Sequence, residues 1–212
     1  MSIALYALTS NVYPPQGLVM DELDAARECV MAVGVRRTTF SDVASRAGIS
    51  RMTLYRRYPD LGSVLSALIA RDLGAIIVGT GGEVRDLPTA RQRLVEALVR
   101  GAQAMTRSPL VLRILEVDPE LLMPYVFDRL GETQRAVLGV LEGHIVEGQK
   151  EGSIRGGDRA AIAACLELSA RGFVFAARAR EQACEPADAF EQLRAMVSAY
   201  LTPCRDDWLG IA

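Results

Sequence analysis

The chain is poor in the residue types that most catalytic and metal sites need. It has one histidine, His144, and one lysine, Lys150, among 212 residues. Its four cysteines, Cys29, Cys165, Cys184 and Cys204, are scattered. They lack metal-ligand spacing, and only His144 could join them, so no metal site is expected. Scattered cysteines instead fit reduced thiols in a cytoplasmic protein. One histidine leaves little for general acid–base chemistry, and no Ser/His/Asp order appears. The Gly79–Gly82 run carries no lysine and follows no strand, so it is not a phosphate loop. An enzyme is therefore not expected, and neither is a cofactor. No uninterrupted apolar run approaches the ~20 residues that span a bilayer, so no membrane partner is expected. The N-terminal stretch lacks the basic region and apolar core of a signal peptide.

What the chain does have is arginine, helix punctuation and hydrophobic residues, the last at 50% of the sequence. That is enough for a substantial core. The most informative stretch is Thr38–Leu65, TTFSDVASRAGISRMTLYRRYPDLGSVL. Thr39 with Asp42 three residues on is a capping-box pattern for a first short helix. Val43, Ala44 and Ala47 share one face of it. Gly48 ends it, since a left-handed residue is least strained without a Cβ. Ser50 caps a second helix from Arg51 to Tyr58, and Pro59 stops it. Two short helices joined by a glycine turn make a helix-turn-helix, whose second helix is the one that lies in the DNA major groove.

The charge pattern agrees. Between Gly34 and Tyr58 stand Arg36, Arg37, Arg46, Arg51, Arg56 and Arg57 against the single acid Asp42. The local charge is +5 in a chain whose net charge is -2. Arginine is always charged and forks onto phosphate or guanine, so this patch has the footprint of a DNA reader.

The same stretch resembles the DNA-binding domain of the TetR (tetracycline repressor) family. The likeness is carried by Thr38, Thr39, Val43, Ala44, Ala47, Gly48, Ile49, Ser50, Thr53, Leu54, Tyr55, Arg57 and Tyr58. With the preceding helix it covers about residues 18–73. The resemblance implies DNA contacts by Thr39 and Ser41 from the first helix of the motif. It implies base contacts by Arg51, Met52 and Thr53, and phosphate or thymine-methyl contact by Tyr55. Arg56 and Arg57 take positions that contact phosphates. Where the family often has lysine after the second helix, this chain has Leu61 and Gly62. Backbone N–H groups at the start of the next helix could bind a phosphate there instead.

Beyond the motif the pattern is helical throughout, and no strand pattern appears. The expected fold is all-α with about nine helices. An N-terminal three-helix helix-turn-helix domain is followed by a C-terminal helical ligand-binding and dimerisation domain. The boundaries read as a tail at 1–17, the DNA-binding domain at 18–66, the helical domain at 67–203 and a tail at 204–212. A helix from Leu61 is expected to end near Val78, at the glycine run. A helix through Val126 and Leu130 is expected to reach about Gly152, and one from Asp158 to reach about Ala183. The last two long helices, one rich in small residues, suit a homodimer interface. Leu98, Met105, Leu115, Met123, Phe127, Leu141 and Phe173 are the candidate lining of an apolar pocket. Few polar anchors accompany them, which suits an apolar or amphipathic effector.

The function these readings imply is a ligand-responsive transcriptional repressor in the cytoplasm. A homodimer would bind a double-stranded DNA operator and leave it when a small molecule binds. The alternative is a helical small-molecule sensor or scaffold that has lost DNA binding.

Overall fold

A computed structural model describes residues 20–121, 123 and 130–203. The expected tails at 1–17 and 204–212, and Phe127, lie outside these residues. The described residues form ten α-helices and one 3-10 turn, with no strand among them. The helices are α1 Glu22–Val33, α2 Phe40–Arg46, α3 Arg51–Arg57, α4 Leu61–Glu83 and α5 Ala90–Thr106. They continue with α6 Pro109–Val117, α7 Glu132–Lys150, α8 Arg159–Phe175, α9 Ala177–Arg180 and α10 Pro186–Leu201. The 3-10 turn is Pro119–Leu121.

Contacts divide the described chain into two compact units, 20–75 with 107–133 and 76–106 with 134–203. The division falls inside α4.

In the first unit α1 packs on α2 and on α6, and α2 packs on α3. Their apolar faces meet in one core that includes Leu23, Val30, Val43, Leu54, Leu68 and Ile114. Ion pairs tie α4 to α1. The Arg71 guanidinium donates to Asp21 at 2.9 Å and to Asp24 at 2.7 Å, and Arg27 pairs with Asp72. By length and composition α4 is apolar enough to cross a membrane. The Arg71–Asp72 pair in its middle and its place in this core fit a globular helix better. About four of its turns, from Leu61 to Ala75, thus belong to the first unit.

In the second unit α8 and α10 both pack on α5. Its fully buried side chains include Leu94, Ile145, Ile162, Leu166, Leu193 and Leu201.

Three helix ends differ from the sequence reading. α4 does not stop at Gly79 but runs through to Glu83. Each glycine costs a helix only about 1 kcal/mol. Against that, Val84 just beyond is buried, Thr80 is buried with its hydroxyl on the Ile76 carbonyl at 2.8 Å, and Glu83 pairs with Arg100. Among the described residues α7 begins at Glu132, and Leu130 lies outside it, exposed. The helix expected to reach Ala183 breaks at Ala176 into α8 and the single turn α9. There the Arg180 guanidinium turns onto the Phe190 ring, 4.6 Å from its centroid.

Candidate nucleic-acid interface

Short helices need explicit end groups, and the motif supplies them. Thr39 and Asp42 form the full capping box of α2. The Asp42 amide donates to Thr39 Oγ1 at 3.2 Å, and the Thr39 amide donates to Asp42 Oδ2 at 3.0 Å. The Thr39 hydroxyl donates to the same carboxylate at 2.6 Å. These bonds, that of the Thr39 hydroxyl foremost, hold the Asp42 carboxyl below its ordinary range. Gly48 has φ +67, the left-handed turn residue the motif requires. Ser50 then caps α3, accepting from the Thr53 amide at 3.0 Å. Asp60 caps α4, accepting from the Ser63 amide at 2.7 Å, and that bond lowers its carboxyl as well.

α3 has one buried side chain, Leu54, with no exposed area. Around it Arg51, Met52, Tyr55, Arg56 and Arg57 are exposed and Thr53 is half-buried. Met52, at 64% exposed, is far outside the core although it is apolar. Tyr55 stacks on Phe40 of α2, with ring centroids 4.2 Å apart, which braces the two helices against each other. Thr39 is exposed and Ser41 half-buried, both in the first turn of α2 or its cap. The eight candidate contact residues therefore lie on the two helices of one motif.

The arginines divide into two sets. Arg57 donates to Glu22 at 2.5 Å, Arg46 to Glu28 at 2.8 Å, and Arg36 pairs with Glu120 at 2.7 Å. The hydrogen bonds they donate to Glu22 and Glu28 push the Arg57 and Arg46 guanidinium groups above their ordinary range. Arg37, Arg51 and Arg56 have no ion pair among the described residues and stand exposed. Sequence reasoning did not find the acidic partners, because Glu22, Glu28 and Glu120 are 35, 18 and 84 positions from their arginines and no local pattern links them.

Nor did it find Asp118. This carboxylate is 2% exposed and accepts from the Val35 amide at 2.6 Å and the Arg36 amide at 3.4 Å. The Asp118-Pro119 pair reads in sequence as a helix start, whereas in the structure Asp118 terminates α6.

The pocket candidates are dispersed. Leu98 and Leu141 are buried, and Met105 and Phe173 are half-buried, all in the unit 76–106 with 134–203. Leu115, half-buried, and Met123, 41% exposed, belong to the other unit. Phe173 packs against Phe190 with centroids 5.9 Å apart. The interior also holds a charge the sequence reading overlooked. Glu167 on α8 is buried and pairs with Arg171 at 3.0 Å. Burial pushes its carboxyl up, against the pull of Arg171. A surface cleft of about 720 Å³ is bordered by Glu142, Gln149, Lys150, Asp158 and Arg159. Val146, Gly157 and Ala160 complete its lining, and none of the pocket candidates borders it.

Residues 23–68 match the family model of bacterial regulatory proteins of the tetR family. An uncharacterized HTH-type transcriptional regulator of Mycobacterium bovis is 29% identical over 182 residues, which is 84% of this chain and 92% of the relative. The transcriptional regulator FadR of Bacillus subtilis, solved in complex with stearoyl-CoA, superposes with a TM-score of 0.62 at 16% identity. It covers 85% of this chain and 97% of its own. The Rhodococcus erythropolis repressor QsdR, of the TetR family, gives a TM-score of 0.63 at 14% identity, over 87% of this chain and 94% of its own.

Proposed function

We propose that the chain is a ligand-responsive repressor of transcription of the TetR family of bacterial regulatory proteins, acting in the cytoplasm. The observation that carries this is α3. It is a capped seven-residue helix with one buried leucine and an exposed face of Arg51, Met52, Tyr55 and Arg56. Nothing in a globular core needs that face, whereas a major groove does. Arg51, Met52 and Thr53 read base edges. Arg56 and Arg57, with Thr39, Ser41 and Tyr55, anchor the backbone, and anchoring by phosphate contacts sets the register of base reading.

The operator is a pseudo-palindrome read by a homodimer. Two faces support that assembly. On α8 Ala161, Cys165, Leu168 and Gly172 are exposed at spacings of four, three and four residues, which makes one stripe. On α10 Gln192, Ala195, Met196 and Ala199 are exposed along one side. Leu168 is 55% and Met196 49% exposed, and small residues beside them let a second pair of helices approach closely.

The effector is apolar or amphipathic and binds among the helices of residues 90–106 and 134–175, with Leu98, Met105, Leu141 and Phe173 as lining. The stearoyl-CoA bound by the Bacillus subtilis FadR is a molecule of that type. It releases DNA to the extent that it binds the off-DNA conformer more tightly.

Fluorescence anisotropy of the full chain on labelled duplex from upstream of its own gene tests the DNA reading. The expected result is binding that survives unlabelled random DNA and falls steeply between two salt concentrations. Binding no tighter than to random DNA at either salt would contradict it.

A further inference from the structure

We propose that Asp118 is a positioning residue for DNA binding, which holds from outside the helix-turn-helix the turn that presents Arg36 and Arg37. The proposal rests on the DNA-binding reading above. Residues 34–39 join α1 to α2, and their turn at 34–37 carries two of the six arginines of the basic patch. Its backbone makes no helix of its own, so its amides need other acceptors. Asp118 supplies one oxygen to two of them, Val35 at 2.6 Å and Arg36 at 3.4 Å. At 2% exposure it does so away from water, where a missing acceptor is most costly.

The fit is close as well as polar. Gly34 has φ +86, and a Cβ built there would lie 2.8 Å from Val117 Cγ1 and 2.9 Å from Asp118 Oδ2. The turn is therefore moulded onto the end of α6. α6 is itself fixed on the motif, since Leu110 and Ile114 share its core and Arg113 donates to the Ala32 carbonyl at 3.4 Å. The family model ends at residue 68, so the residue that shapes this turn stands 50 positions beyond the matched domain.

Arg36 meets two acids with opposite consequences. Asp118 lies 3.9 Å from its Nε and also holds its backbone. Glu120 lies 2.7 Å from its Nη2 and touches only the side chain. Asp118 thus orders the turn, while Glu120 competes with phosphate for the same guanidinium.

The test uses the full chain and the duplex that the wild type enriches from a random pool. Asp118→Asn keeps the shape and one acceptor oxygen but removes the charge. It is expected to weaken binding about tenfold and to reduce the slope of log K against log salt by about one per protomer. Hydrogen exchange at the Val35 and Arg36 amides should speed up with it. Glu120→Gln should bind as well as the wild type or better, with those amides unchanged. Arg36→Ala should weaken the wild type yet add little to Asp118→Asn, because both act through one turn. Wild-type affinity and salt slope in Asp118→Asn would overturn the proposal while leaving the DNA reading intact. A pool in which nothing is enriched overturns both. Should Asp118→Asn fail to fold, the wild type decides. Val35 and Arg36 amides protected like those of α1 support the proposal, and exchange at the rate of an open loop overturns it.

Discussion

The two units of this molecule are built in different ways. In the unit of residues 20–75 and 107–133 the two helices of the helix-turn-helix are seven residues long, too short to persist without help. Each has a side-chain cap, a turn of fixed shape and one or a few buried anchors. In the unit of residues 76–106 and 134–203 the helices run to 17 and 19 residues, and their ends matter less than their faces. The form of the first unit is set by local chemistry, at caps and glycine turns. The form of the second depends on how side chains from distant helices fill space.

That difference can be broken at its strongest point first. Leu54→Ala removes the one buried anchor of α3, and large-to-small changes at such sites cost about 3 kcal/mol. Hydrogen exchange should rise across 20–75 and 107–133 together and stay unchanged in 76–106 and 134–203. A rise in both units would erase the distinction. Gly34→Ala forces a Cβ into Val117 and Asp118 at a positive φ, and about 2 kcal/mol of destabilisation is expected from thermal melts. Ser50→Ala deletes the cap of α3 and should cost about 1 kcal/mol, with DNA affinity falling in parallel.

Gly81→Ala sharpens the contrast in the other direction. The position is helical, nothing lies within 4 Å of an added Cβ, and the melting temperature should rise by the equivalent of about 0.5–1 kcal/mol. The smallest effect is in acid. The Asp42 and Asp60 carboxyls are held below their ordinary 3.8 by the hydrogen bonds they accept. Their capping contribution is therefore whole above pH 3.8 and is lost as pH falls through the lower folded values. Asp42→Ala should be less helical than wild type at pH 7, and the gap should close at the acid end of a circular dichroism titration.

The same contrast explains what could be read from sequence. Thr39 with Asp42, Gly48 and Ser50 each do in the structure what their types and spacing imply, because a cap or a left-handed turn is decided within four residues. The end of α4 was misplaced because glycine only weakens a helix, and what decides is the burial of Val84 and the pairing of Glu83 with Arg100. The break at Ala176 was invisible in a run of good helix formers, since Arg180 finds its ring partner through the tertiary fold. Asp118, Glu22 and Glu28 carried no signal for the same reason. Each acts on a residue far away in sequence, and the identity of that partner is a property of packing.

The central claim is that the exposed face of α3 reads bases. The most direct measurement is selection of bound DNA from a random pool by the wild type and by Arg51→Ala. The account predicts one enriched pseudo-palindrome for the wild type, and relaxed preference at one base position in each half for Arg51→Ala. A pool without enrichment, or the same sequence selected with undiminished preference at every position by Arg51→Ala, would contradict it.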